Sequence, residues 1–283
     1  MAVISETVKL KSNTLMPKLA FGTYGLDKEH VETVILEAIS LGYRHFETAP
    51  IYLNEVEIGD AIRKSGIDRD DLFITSKVPP HIKNYEGTRR VVKRTMKKLG
   101  VDHLDLLLIN NPVPWGEEGK DYSKENQDVW RAMEAMYKEE SVGAIGVSNF
   151  TQEDIEALKE TATIHPHVNQ VGIFAGHTLD ALRAYCEKEG IVVQGHSPLA
   201  RGRLLKTDWI QDLAKKEGRS PANLALRFVY ELGVMPVVKA SEKAHMEDNL
   251  KLDKALQAST FETMKALKDD VRDYKPPKAK SIL

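Results

Sequence analysis

Cysteine is almost missing from this chain. Cys186 is the only one among 283 residues, so no intrachain disulfide can form and a reducing compartment fits. It shares an apolar helical face with Leu179 and Leu182, where a packed thiol is expected rather than a nucleophile. Long apolar runs are missing too. No segment approaches the roughly 20 apolar residues that cross a bilayer, and the first dozen residues lack the apolar stretch of a signal peptide. A cytoplasmic protein is therefore expected. Net charge is only −2, too little for general attraction to nucleic acid or to an anionic membrane. The basic pairs Arg89-Arg90, Lys93-Arg94 and Lys97-Lys98 recur at helical spacing and read as a solvated helix face. No Gly-x-Gly-x-x-Gly follows any apolar run, which weakens an open dinucleotide-binding sheet. No linker or low-complexity stretch divides the chain. One domain over residues 1–283 is expected, as a monomer or weak dimer.

What the chain does have is alternation. Short apolar runs occur at Leu19–Thr23, His45–Ala49, Leu72–Lys77, Leu104–Asn110, Ala144–Asn149, His167–Val171, Ile191–His196 and Met235–Lys239. Helical patterns fill the gaps. Val31, Val34, Ile35 and Ala38 precede Gly42 as a stop, Thr151 can cap a helix carrying Ile155 and Leu158, and Ser220-Pro221 opens another. Eight strand–helix repeats predict an α/β fold, a (β/α)8 barrel. Residues 8–17 predict an N-terminal β-hairpin over the barrel bottom, and the stretch from Asp270 an extended C-terminal tail.

In such a barrel the strand C-termini converge on one mouth. Those ends carry Thr23-Tyr24, Glu47, Lys77, Asn110, Ser148-Asn149, Gln170, His196 and Lys239, with Tyr52 shortly after the second strand. A phenol is a poor acid at neutral pH. An ammonium beside it favours the phenolate, and a carboxylate can hold that ammonium charged and oriented. Glu47, Lys77 and Tyr52 are thus candidates to protonate a carbonyl oxygen while hydride reaches its carbon. The same spacing fits an ordinary ion pair with Tyr52 as a packing residue. His165-Pro166-His167 precedes a strand and has no matching third ligand, so no metal site is expected.

The segment Glu47-Thr48-Ala49-Pro50-Ile51-Tyr52-Leu53-Asn54-Glu55 resembles a signature of the aldo-keto reductase superfamily. Gly143-Ala144-Ile145-Gly146-Val147-Ser148-Asn149-Phe150 closely resembles a second one. Gly22-Thr23, Leu106–Pro112, Val168-Asn169-Gln170, Ser197-Pro198-Leu199 and Pro236–Ser241 follow in family order. The resemblance implies an NADPH-dependent oxidoreductase that turns an aldehyde or ketone into an alcohol, with NADH as the alternative cofactor. It implies Tyr52 as general acid and Lys77 as its tuning partner. Ser148, Asn149 and Gln170 would hold the nicotinamide carboxamide, with His196 where an aromatic ring stacks on the nicotinamide. Gly22 and Thr23 end the first strand beside the cofactor. Ser197, Leu199, Arg201 and Arg203 would run beside the pyrophosphate. Lys239, Ser241, His245 and Asn249 would surround the adenosine 2′-phosphate, and Tyr24 and Trp115 the substrate.

Two positions depart from the pattern. Glu47 replaces the family's aspartate and Asn110 its histidine; asparagine donates a hydrogen bond but cannot titrate. Carbonyl reduction is the expected activity. Reduction of a C=C or C=N bond, and non-redox isomerisation or cyclisation on the same scaffold, are the alternatives.

Overall fold

The computed structural model describes residues 3–267, so the tail expected from Asp270 lies outside the described residues. Strands β1 (Thr7–Lys9) and β2 (Leu15–Pro17) pair antiparallel as the expected hairpin. Strand and helix then alternate: β3 (Ala20–Gly22), α1 (Val31–Ser40), β4 (His45–Glu47), α2 (Glu55–Ser65), β5 (Phe73–Val78), α3 (Tyr85–Leu99), β6 (Leu106–Ile109) and α4 (Ser123–Lys138). Next come β7 (Ile145–Ser148), α5 (Gln152–Lys159), β8 (Val168–Gly172), α6 (Asp180–Glu189) and β9 (Val192–His196). Two helices, α7 (Asp208–Glu217) and α8 (Pro221–Glu231), precede β10 (Met235–Val238), and α9 (Lys243–Asn249) and α10 (Ala258–Ala266) follow it. The eight strands β3 to β10 close into one barrel, with β10 hydrogen-bonded to β3. Each apolar run read from the sequence coincides with one of them, with β5 and β8 reaching one residue beyond it, to Val78 and Gly172.

Local chemistry accounts for the boundaries. Thr151 accepts from the Asp154 N–H while the Asp154 carboxylate accepts from the Thr151 N–H, a complete capping box at the start of α5. The Ser220 hydroxyl accepts from the Asn223 N–H and Pro221 is the first residue of α8. Gly42, past the end of α1, has φ +99°, a conformation most side chains avoid.

Strand periodicity sorts the side chains into layers. Phe73, Thr75 and Lys77 of β5 face inward, while Ile74 and Val78 pack outward among the helices. The lowest inner layer is apolar: Phe73, Leu106, Ala144, Val168 and Met235 meet Leu10 and Met16 of the hairpin segment. Met16 has no exposed surface. The hairpin thus plugs the end of the barrel opposite the strand C-termini. The middle layer is neutral and polar. His45 bonds Pro17 O and Thr75 Oγ1, and Gln170 donates to Gln194, which donates to Met16 Sδ. Cys186 is buried, and burial pushes its thiol up to about 11, which suits the packing role.

Two predictions follow from this packing. A Cβ on Gly59 of α2 would lie 2.4 Å from the Leu99 carbonyl oxygen at the end of α3. Alanine normally stabilises a helix interior by about 1 kcal/mol over glycine, but this clash reverses the sign. Gly59→Ala is expected to lower the urea unfolding free energy by about 1–3 kcal/mol. Second, burial holds His45 and His167 down to about 4, with His167 Nδ1 accepting from the Ile145 N–H. Both folded values lie below the unfolded value, so the unfolded chain binds more protons between pH 6.5 and 4. Stability present above pH 6.5 is therefore lost as pH falls through that window. His167→Asn keeps an acceptor for Ile145 without a titrating ring, and its unfolding free energy is expected to fall less steeply with acid.

Candidate active site

The uppermost inner layer is where polar side chains collect. Gly22 ends β3, Glu47 ends β4, Lys77 lies one residue from the end of β5, and Asn110 follows β6. Ser148 ends β7, His196 ends β9 and Lys239 follows β10. All seven line a single cavity of about 730 Å³.

Two of these groups, Glu47 and Lys77, form a closed contact set with Tyr52. The Lys77 ammonium lies 2.6 Å from Glu47 Oε1 and donates to the Tyr52 hydroxyl at 3.0 Å. Tyr52 donates in turn to the same Glu47 Oε1 at 2.9 Å. The two charged side chains are only 5% and 4% exposed, so each neutralises a charge that would be costly alone. Tyr52 is carried on a short 3-10 turn, Pro50–Tyr52, closed by Leu53 in the left-handed region at φ +61°. Lys77 taken alone favours the phenolate. The folded site pushes the phenol the other way, well above its ordinary value, first by burial and then by the neighbouring Glu47 carboxylate. Glu47 adds to the effect of burial through a single oxygen that contacts both the ammonium and the phenol.

A second chain of contacts runs across the mouth. Asn149, at φ +62°, donates from Nδ2 to Asn110 O at 3.1 Å and to Ser148 Oγ at 3.2 Å. Its Oδ1 therefore accepts, which assigns the proton of His196 to Nε2, 2.9 Å away. Burial, then the charges of Lys77 and Arg201, hold His196 down to about 3. The ring is neutral at ordinary pH. Tyr24 meets Tyr52 edge to face with centroids 5.1 Å apart, and Tyr24 and Trp115 both line the cavity.

Ser197, Leu199 and Arg201 continue its wall. Leu199 and Lys239 are shared with an adjoining cavity of about 360 Å³ whose wall includes Ser220, His245, Asp248 and Asn249. The two cavities therefore form one elongated cleft. Four candidates stand off it. Thr23 and Gln170 are fully buried, and Arg203 Nε donates back to Ala200 O. Gln170 sits one layer below the mouth, with its Oε1 lacking a hydrogen-bond partner. Ser241 is exposed beyond the second cavity wall. The wall also gains Ile51, Leu53 and Val237, which motif reading did not single out. Two-residue spacing from Lys239 signals Val237; nothing in the sequence signals the loop pair. Asn54 and Glu55, though part of the signature segment, are structural: Asn54 donates to Thr23 O and Leu26 O, and Glu55 accepts from Thr95 and Lys98. No cluster of three His, Cys, Asp or Glu able to hold a metal exists among the described residues, and none of their helices is long and apolar enough to cross a membrane.

Comparison with known proteins bears on the family and the fold. The chain is 36% identical over 271 residues to the glyoxal reductase of Bacillus subtilis, covering 95% of each chain. Its fold matches an aldo/keto reductase from Brucella melitensis with TM-score 0.85, 33% identity and coverage of 93% of this chain and 99% of that one. It also matches a Bombyx mori aldo-keto reductase solved in complex with NADP, with TM-score 0.84, 26% identity and coverage of 93% and 92%. The model of the Aldo/keto reductase family matches residues 18–269. This chain therefore belongs to the aldo/keto reductase family, the oxidoreductases that act on carbonyl groups.

Proposed function

We propose that the protein reduces an aldehyde or ketone to an alcohol with NADPH, and that Tyr52 is its general acid. The observation that carries this reading is the buried Glu47–Lys77–Tyr52 contact set on the wall of one long cleft. The cleft's donor set suits a dinucleotide. Ser148 and Asn149 offer polar atoms at the mouth, and Arg201 and Lys239 are cations for phosphate groups. His196 offers a neutral ring face where the nicotinamide would stack. Gly22 leaves the room that a side chain would take, since a Cβ there would meet Val237 and approach Glu47. His245 and Asn249 border the far cavity, where a 2′-phosphate would sit beside Lys239. Solved relatives hold NADP or NADPH.

Bound NADPH would supply hydride to the carbonyl carbon. Tyr52 gives its hydroxyl proton to the carbonyl oxygen, and the Lys77 ammonium 3.0 Å away stabilises the phenolate left behind. Asn110 donates a hydrogen bond to the same oxygen and orients it, without taking part in proton transfer. Tyr24 and Trp115 flank the substrate from the cavity rim. Glu47 acts in two opposed ways. It holds the Lys77 ammonium in place at 2.6 Å, and it accepts the phenol's hydrogen bond in the resting site, a bond that must break before the proton reaches substrate.

Two experiments test this. Tyr52→Phe is expected to lower kcat for carbonyl reduction by about 10²-fold or more, with NADPH affinity by fluorescence titration little changed. A panel of aldehydes, ketones and enones, followed by NADPH consumption, identifies the bond reduced; turnover at wild-type rate in Tyr52→Phe rules out the assigned acid. Glu47→Asp withdraws the carboxylate by about one bond length and frees the phenol while the flexible Lys77 stem can follow. Its kcat is expected to rise about threefold or more, a gain of at least ~0.7 kcal/mol in transition-state stabilisation. The alkaline limb of its pH profile should move down, because the charge that raises the Tyr52 pKa has receded. A fall in kcat would mean that the Glu47–Tyr52 bond assists proton transfer.

A further inference from the structure

Residues 110–122 form the long loop between β6 and α4, and this loop carries Trp115 to the cavity wall. One side chain outside the loop binds both of its ends. Lys83, on the connection between β5 and α3, sends its ammonium to Asn111 O at 2.9 Å and Pro112 O at 2.8 Å, at the loop's start. It also donates to Asn126 Oδ1 at 2.6 Å, in the first turn of α4 just past the loop's end. Asn126 Nδ2 donates to Pro112 O at 2.9 Å, closing the ring of contacts. The Tyr122 ring, at the loop's last position, lies 5.9 Å from the same ammonium.

The chemistry of this arrangement is unusual for a lysine. All three ammonium protons go to neutral oxygens, and no carboxylate accepts from it among the described residues. A carboxylate would neutralise the charge in one contact, whereas two carbonyls and an amide do so only by standing around it together. The geometry that satisfies the ammonium is therefore the geometry that holds the loop's two ends together. The loop start is the chain immediately after Asn110, whose own carbonyl is held by Asn149 across the mouth. Lys83 thus acts on the wall that carries Trp115 and on the strand end that carries Asn110, while standing outside the cavity itself.

We propose that Lys83 is a positioning residue for substrate selection: its ammonium fastens the 110–122 loop and so sets where Trp115 stands over the cleft. The proposal rests on the carbonyl-reductase reading for its kinetic consequence but not for its structural one. Burial supports it by drawing Lys83 down to about 8, opposed by the charges of Glu125 and Asp154. A lysine that loses a donor proton slightly above neutral pH loosens one of its three contacts there; besides Glu125 and Asp154, the titratable Tyr122 faces it.

Lys83→Met keeps the stem and removes all three donors; Lys83→Gln keeps two N–H donors and no charge. In Lys83→Met the KM for a bulky aryl ketone is expected to rise about tenfold, and the KM for a three-carbon aldehyde less than threefold. Lys83→Gln is expected between wild type and Lys83→Met. The wild-type ratio of the two KM values should increase from pH 7 to 9.5, whereas in Lys83→Met it stays high and flat; taking a ratio cancels any titration of Tyr52 common to both substrates. Acrylamide quenching, read as the difference between each protein and its Trp115→Phe counterpart, should show Trp115 more accessible in Lys83→Met. That readout needs no turnover. If no carbonyl is reduced by any of the proteins, the catalytic reading fails while quenching still judges the fastener. If both KM values move together, or quenching of Trp115 is unchanged in both Lys83 variants, the positioning role is overturned.

Discussion

Closing eight parallel strands into a ring forces every second residue of each strand into an interior with room for only a few layers. On the two strands that carry the charged pair the inward positions run in order: apolar at the plugged end of β5, neutral and polar in the middle, charged at the mouth. On β5 that order is Phe73, Thr75, Lys77, and on β4 it is His45, then Glu47. The Glu47–Lys77 pair can be buried because each is the last inward residue of its strand and the two charged ends meet at 2.6 Å. A shift of either strand by one residue would send one charge into the outer helical core with no partner.

The same constraint explains what could be read before folding. The eight strands were legible because each is a compact apolar run between turn signals, and the mouth residues because they end those runs. Period-two counting from Lys77 or Lys239 carries the layer structure too. Less legible was the height of Gln170. Its strand continues to Gly172, which leaves Gln170 one layer down rather than at the rim. Loop residues carry no such period. Ile51, Leu53 and Lys83 owe their places to a strained turn and to a lysine that reaches across two connections, and neither leaves a pattern in the sequence. Arg203 is another such case. Loop arginines next to a phosphate-binding strand end are plausible ligands, but here its guanidinium folds back on its own turn.

Glu47 marks the limit of reading residues one at a time. As a sequence symbol it conserves charge and changes length. In the folded site that length determines the phenol's hydrogen bond, because a single oxygen serves two donors. The sign of the effect on Tyr52 follows first from burial and then from the carboxylate that the phenol faces as a donor. Asn110 lends weight to the same point: its carbonyl, not its side chain, is what ties it to Asn149 and through it to His196.

The seam between β10 and β3 joins the beginning and the end of the ring through only two residue pairs, Val237 with Ala20 and Val238 with Phe21. Gly22 lies just past one side of that seam and Lys239 just past the other, and both border the cleft. A ligand reaching from one to the other would straddle the joint like a staple across a cut hoop. Occupying the cleft and keeping the hoop shut are then one event, so a saturating ligand should guard the barrel against opening at this joint by mass action alone.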